Sequence, residues 1–185
     1  MIITGNKNSG LAGALYKLYP DAVFVSRNTG FDLTIKKDQE RFAELATEHD
    51  VFINNSVMWK FQQTVLLNEV YHKCIEKKHD MHIVNISSTT DRVKKGGSWL
   101  YNAEKKALRD YSNTLGLNGV WNEGPKLSLI SVGTLSNKQD KHPNRNTLDI
   151  DVAAQYIKWV IDQPRHIAIN ELSIDPMQPD EWYEE

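Results

Sequence analysis

"MIITGNKNSGLAGALYKL", Met1 to Leu18, sets a short apolar run against a turn-forming stretch and then repeats leucine at 11, 15 and 18, a helical spacing. It reads as strand, loop and helix. Gly5, Gly10 and Gly13 fall in and just past the loop. There a bare backbone can approach a pyrophosphate, and a helix amino terminus offers its N–H groups and the positive end of its dipole. The position at the head of a βα unit is the one a dinucleotide loop requires, but the spacing departs from GxGxxG. Taken alone, the same glycines suit an ordinary turn.

Outward from this unit, the alternation continues. "AVFVS" (Ala22 to Ser26) is a second strand, "FDL" (Phe31 to Leu33) a short third, "DQERFAELATEH" a helix and "DVFINN" a buried strand. A helix over 59–77, the strand "MHIVNIS", a helix over 99–115 and the strand "KLSLIS" follow. "DVAAQYIKWVIDQ", capped by Asp149 or Asp151, leads to the strand "HIAINELSI". This order predicts one α/β domain over residues 1–185, a Rossmann-like doubly wound parallel sheet of about six to seven strands with helices on both faces. Such a sheet binds ligands beyond the carboxyl ends of its strands, near the point where strand order reverses. "AVFVS" and "FDL" lie too close for a parallel crossover of about a dozen residues, so the third strand is vestigial or its helix has been trimmed away. The polar stretch "SNKQDKHPNRNT" (Ser136 to Thr147) is the one long loop, and residues 176–185 form an acidic tail that either frays or crosses to a partner subunit.

Composition narrows the chemistry by exclusion. With 40% hydrophobic and 25% charged residues and a net charge of -2, the chain has a globular make-up and lacks the basic surface that a nucleic-acid partner needs. Short mixed runs such as "DRVKK" read as solvated faces. A single cysteine, Cys74, rules out an internal disulfide and reads as packing in a reducing, cytoplasmic setting. No basic-then-apolar leader precedes the first strand, and no apolar run approaches the ~20 residues of a membrane span. The six histidines show no metal-ligand spacing, and neither HExxH nor CxxC occurs, so no metal site is expected. Ser87 and Ser88 lack the GxSxG elbow of a hydrolase nucleophile.

Three residues carry the catalytic reading. Tyr101 and Lys105, four apart, share a helix face, while Ser88 stands at the carboxyl end of the "IVNIS" strand, directly after Ser87. A phenol with a reference pKa near ~10 is a reluctant proton carrier, and a neighbouring ammonium favours its phenolate. Alternatively, Tyr101 packs beside Trp99 and Leu100 while Lys105 and Lys106 are solvated.

In order along the chain, "TGNKNSGLA", "FDL", "DVFINNSV", "IVNISS", "YNAEK" and "ISVG" resemble the landmarks of the short-chain dehydrogenase/reductase family over nearly its whole length. Ser88 lies thirteen residues before Tyr101 and Lys105 four after it, as in many members of that family. The resemblance implies that Ser88 holds a substrate carbonyl, that Tyr101 is the general acid/base and that Lys105 tunes Tyr101 and binds the nicotinamide ribose. It also implies cofactor contacts from Thr4, Gly5, Asn6, Lys7, Ser9, Gly10 and Leu11 in the glycine loop, and from Asn55, Ser56, Val57, Val132 and Gly133 at later strand ends. Ser26 and Arg27 stand where the family's NAD-selecting acid would be. A hydroxyl and a guanidinium suit a 2′-phosphate, so NADP(H) is expected ahead of NAD(H), with Lys7 adding charge. Asp32, with Leu33, resembles the family's adenine-binding aspartate, or else serves a turn or cap.

The departures are equally specific. "NNSV" lacks the glycine of NNAG, and Val132-Gly133 replaces PG. Phe61 stands where the family's helix asparagine is expected, so a water relay falls to Gln62, to Asn68 or to neither. The chain is shorter than typical members, which implies a minimal substrate site. The family analogy further implies a homodimer or homotetramer through the helices over 59–77 and 99–115. The expected activity is hydride transfer with a small-molecule carbonyl or alcohol. The alternative is a weak or inactive dinucleotide-binding redox sensor on the same fold.

Overall fold

Short runs of Ile, Val and Phe buried on both sides make the interior of a parallel sheet, because only a sheet covered by helices on two faces leaves no polar side to its strands. The structure, a computed structural model, describes residues 1–92, 99–121, 123–141, 143–144 and 146–177. His142, most of "DRVKK" and residues 178–185 of the expected acidic tail lie outside them. Among the described residues the strands are β1 (Ile2–Thr4), β2 (Val23–Val25), β3 (Val51–Asn54), β4 (His82–Ser88), β5 (Lys126–Val132) and β6 (Glu171–Ile174). They form one all-parallel sheet in the order β2-β1-β3-β4-β5-β6. The chain thus adopts the Rossmann-like α/β arrangement expected from its alternating pattern.

Successive strand residues serve opposite layers, as the period of two demands. Ile2, Phe52, Ile83 and Leu127 pack under α2 (Lys36–Ala46), α3 (Gln62–Lys77) and α4 (Leu100–Trp121). Ile3, Ile53, Val84 and Ile130 pack under α1 (Gly10–Leu18) and α5 (Ile150–Ile161). Strand order reverses at β1, which lies between β2 and β3, so a crevice opens beyond the carboxyl ends of β1 and β3. The steps β3 to β4 and β5 to β6 run in the same direction across the sheet, yet α3 and α5 cover opposite faces. The two crossovers therefore have opposite hand, an exception to the usual right-handed rule.

"FDL" forms no strand. After β2 the chain makes a 3-10 turn (Arg27–Thr29), closed by Gly30 at φ 83°, and enters α2 directly; without a crossover helix there is nothing to return a third strand to the edge. The helix expected from Trp59 begins instead at Gln62, because Lys60 and Phe61 adopt φ values of 60° and 61°. The left-handed turn is held from α4, where Glu104 Oε1 accepts the N–H groups of Lys60 (2.5 Å) and Phe61 (3.3 Å). α4 runs past Leu115 to Trp121, and the last strand shortens to Glu171–Ile174. Asp149 caps α5, its Oδ1 accepting from the N–H of Asp151 (2.8 Å) and Val152 (3.1 Å). The polar stretch contains a 3-10 turn, Ser136–Lys141, at a base pinned by the Leu135–Leu148 bridge.

Candidate active site

The longest strands end at the crevice, and β4 delivers Ser88 there while the first turns of α4 bring in Tyr101 and Lys105. The Ser88 hydroxyl lies close enough to the Tyr101 phenol to favour its ionised form, and Ser88 Oγ accepts from the Thr90 N–H at 3.4 Å. Lys105 is buried; its Nζ donates to Gln63 Oε1 (2.7 Å) and to the Ile86 carbonyl (3.1 Å) and lies 5.6 Å from the centre of the Tyr101 ring. The three residues therefore share one corner of the cleft.

Electrostatics at this corner differ from the expected pattern. Burial raises the Tyr101 phenol above its ordinary value; the Ser88 hydroxyl opposes the rise, and Asp91 and Glu104 add to it. Burial pulls Lys105 down to about 8 against the favourable charges of Asp91 and Glu104.

Two polar groups beneath the site went unread in the sequence. Gln63 is buried, and its Nε2 donates to the carbonyls of Asn54 (2.8 Å) and Ile86 (3.0 Å). The network continues from Asn54 Nδ2 to Asn85 Oδ1 (2.9 Å) and from Asn85 Nδ2 to Ser112 Oγ (3.0 Å). Gln62 and Asn68, the residues considered for a relay, point elsewhere. Gln62 Oε1 accepts from Gln39 on α2, and Asn68 Oδ1 accepts from the Tyr111 hydroxyl, both away from Lys105. The available signal was a polar residue in the apolar stripe Gln63, Leu66, Leu67, Val70, Tyr71, Cys74, since an amide at core spacing on a helix needs buried partners. Asp91, also buried, accepts at Oδ2 from the hydroxyls of Ser87 and Ser131 and so ties the turn after β4 to β5.

The other end of the cleft is the glycine loop. Gly5 has φ 141°, and a Cβ there would stand 2.8 Å from Ala12 Cβ and 2.9 Å from Asn55 Nδ2, so only glycine lets loop, helix and β3 end meet. Ser9 precedes α1 without capping it by its side chain, which leaves the helix N–H groups to the crevice. Gly5, Asn6, Ser9, Gly10 and Leu11 line one wall; Asn55, Ser56 and Val57 follow beside them, and Val132 and Gly133 face from β5. The whole cleft measures about 1210 Å³ and runs unbroken to Ser88, Tyr101 and Lys105. At Gly133 a Cβ would come within 2.6 Å of Pro176 Cδ, so this glycine admits the chain leaving β6. These residues fit an elongated ligand with a pyrophosphate at the glycine loop.

Six of the expected cofactor residues lie outside the cleft wall. Thr4 is buried beneath it, its Oγ1 accepting from the N–H groups of Asn55 (2.9 Å) and Ser56 (3.0 Å). Leu33 belongs to the core. Lys7 Nζ lies over the Tyr16 ring at 5.1 Å. The N–H of Ser26 donates to Thr29 Oγ1, and Arg27 forms an ion pair with Asp32 at 3.1 Å. Asp32 Oδ1 also accepts from the Thr34 hydroxyl (2.7 Å) and N–H (3.1 Å), the turn role allowed for it from sequence. Near the mouth, Trp59 meets the Tyr101 ring edge-on at 5.8 Å and Trp99 lines the wall; they remain 62% and 70% exposed. Among the described residues no group of three or more His, Cys, Asp or Glu could hold a metal ion, and no helix is long and apolar enough to cross a membrane.

No family model matches the chain. No curated protein matches it either. Solved structures do. Serine dehydrogenase from Escherichia coli superposes with a TM-score of 0.69 at 16% identity, covering 94% of this chain and 95% of that one. A metagenomic short-chain oxidoreductase in complex with NADP gives 0.70 at 19% identity, over 95% and 96% of the two chains. A 4-hydroxyisoleucine dehydrogenase complexed with NADH and succinate gives 0.69 at 20%, over 95% and 98%. At these identities the likeness establishes the fold, which is that of the short-chain dehydrogenases/reductases.

Proposed function

We propose that the chain is a short-chain dehydrogenase/reductase-type oxidoreductase that transfers a hydride between a nicotinamide dinucleotide, NADP(H) ahead of NAD(H), and a small carbonyl or alcohol. The observation that carries this reading is the convergence of Ser88, Tyr101 and Lys105 at one end of a cleft whose other end is the glycine loop. Neighbours of the same fold hold NADP or NADH, which supports a dinucleotide there. Gly5, Gly10 and the N–H groups opening α1 would take the pyrophosphate, while Asn55, Ser56 and Val57 would border the adjoining ribose.

The bound nicotinamide supplies or accepts the hydride. Ser88 would donate to the substrate carbonyl oxygen and support the alkoxide developing there. Tyr101, raised by burial, holds its proton at neutral pH and would give it to that oxygen, completing the alcohol. The site therefore favours reduction near neutrality. Lys105, with about 8 as its pKa, is largely cationic there and would stabilise the phenolate left behind. Arg27 supports the phosphate preference, provided that its guanidinium exchanges Asp32 for the 2′-phosphate. The raised phenol and the occupied Arg27 also suit a binding protein without turnover, and one experiment separates the two readings. Titration with NADPH and with NADH, followed by energy transfer from the tryptophans, should show tighter NADPH binding that Arg27→Ala reverses. Tyr101→Phe should keep that binding and abolish most carbonyl reduction. Binding of neither cofactor would overturn the proposal, and turnover unchanged in Tyr101→Phe would remove Tyr101 from it.

A further inference from the structure

The buried amide of Gln63 has a single workable orientation. Its Nε2 has two N–H groups, and the carbonyls of Asn54 and Ile86 take both. Flipping the amide would turn its oxygen toward two carbonyl oxygens and its NH2 toward the Lys105 ammonium, acceptor against acceptors and donor against donor. Gln63 Oε1 is thereby aimed at Lys105 Nζ, 2.7 Å away. The ammonium has three donors, and two of them go to Gln63 and to the Ile86 carbonyl. Lys105 itself lines the cleft.

We infer that Gln63 is the positioning residue for Lys105: its amide oxygen anchors the ammonium against β4 and leaves the remaining N–H directed to the cleft. The inference rests on the oxidoreductase reading for its catalytic consequence, though not for its geometry. It also accounts for the missing helix asparagine in a way the sequence did not suggest, with a side-chain amide bonded directly to the lysine from the first turn of α3. Glu104 holds the Lys60–Phe61 turn just before this helix. The choice of an amide over a carboxylate matters. Lys105 is faced by Asp91 from the turn after β4 and by Glu104 and Tyr101 from α4, whereas α3 and β4 present neutral oxygen. A neutral anchor fixes the place of the cation without locking its charge.

The test compares Gln63→Glu and Gln63→Met with the parent, reading the ionisation of Lys105 by NMR of its Nζ and side-chain carbons, with carbonyl reduction and NADPH titration alongside. Glu introduces an opposite charge at the anchor and should raise the Lys105 pKa by about one unit or more. Met removes the acceptor and should lower it, with kcat falling about tenfold to a hundredfold as a charge-assisted hydrogen bond is lost. A purely structural role would destabilise both variants, since each loses the donations to Asn54 and Ile86, without moving the ionisation in opposite directions. Unchanged Lys105 ionisation in both, or a shift of one sign in both, would overturn the inference. Should Gln63→Met fail to fold, Gln63→Asn takes its place: the shorter amide withdraws the oxygen from Lys105 and should lower its pKa, opposite to the Gln63→Glu shift. If the parent reduces no carbonyl, the oxidoreductase reading fails while the NMR titration still settles what Gln63 does to Lys105.

Discussion

Tyr101 is half-buried and Lys105 buried, and burial moves their pKa values apart, the phenol up and the ammonium down. Burial thus favours the neutral form of each at the same address. For reduction the phenol must be protonated and the lysine cationic, conditions that coincide below about 8, where Lys105 gives up its proton. Carbonyl reduction should accordingly be flat near neutrality and decline above that value, and a Lys105→Met variant should lose the decline together with most of the rate. A profile whose alkaline limb survives in Lys105→Met would assign it to another group. For Tyr101→Phe the expected loss in kcat is about a hundredfold to ten-thousandfold with NADPH affinity retained, the usual range for a missing general acid. The Ser88, Tyr101, Lys105 set was legible because strand end and helix spacing fix it locally. Gln63 was not: the family spacing back from Ser88 falls on Phe61, whereas the residue that reaches Lys105 is two further on, after a left-handed turn that no spacing rule includes. Arg27 and Asp32 each suit a cofactor contact by position in the sequence, but in the structure they face one another, an ion pair across four intervening residues.

At the scale of elements, α3 depends on its neighbour for its start. Phe61, at its head, offers no capping oxygen, and the N–H groups of Lys60 and Phe61 are answered by the Glu104 carboxylate from α4. Glu104→Ala should therefore cost about 1.5–3 kcal/mol, the range for losing hydrogen bonds to a charged group, read as a lowered urea midpoint at unchanged slope. Because the same turn carries Trp59 onto the Tyr101 ring, the variant should also alter tryptophan emission. A stable variant with parental fluorescence would show that the turn holds itself. The strands and helices themselves were legible, since runs such as "MIIT" and "DVFINN" put apolar residues on both faces, Ile2 and Phe52 on one and Ile3 and Ile53 on the other, and the helices keep a regular stripe. Two features were not. The missing third strand reflects what the short link after β2 cannot span, and only the observed entry into α2 decides between a vestigial strand and a trimmed helix. The face chosen by α5 depends on Ala153, Ala154 and Ile157 meeting Leu11 and Leu15 of α1, a long-range fit that periodicity within either helix does not reveal.

For the molecule as a whole, the sheet divides its polar groups between two ends, and they answer to pH separately. The cleft stands at the carboxyl ends of the strands. At the opposite end His82 begins β4, buried, with Nε2 2.9 Å from Ser128 Oγ and Lys126 beside it in register on β5. Burial first, and Lys126 second, pull the His82 pKa from its ordinary 6.5 to about 4. A base whose folded pKa is depressed is neutral in the native state while the unfolded chain still takes up the proton. Stability is then complete above about 6.5 and is lost progressively as pH falls toward about 4. Between about pH 7.5 and about pH 5 the loss should come to about 2 kcal/mol, a sizeable part of the ~5–15 kcal/mol typical of a domain. His49, lowered mainly by its own burial, adds in the same direction. The carboxylates held below their ordinary values, Asp32, Glu44 and Glu171, titrate under this window and leave it to the histidines. Urea unfolding of the parent and of His82→Gln at the two pH values isolates the effect. The parent should lose stability on acidification and the variant markedly less, whatever either does to NADPH binding at the far end of the sheet. Equal losses in both would mean that His82 takes up its proton within the fold, and that the base of β4 is open enough to let the charge in.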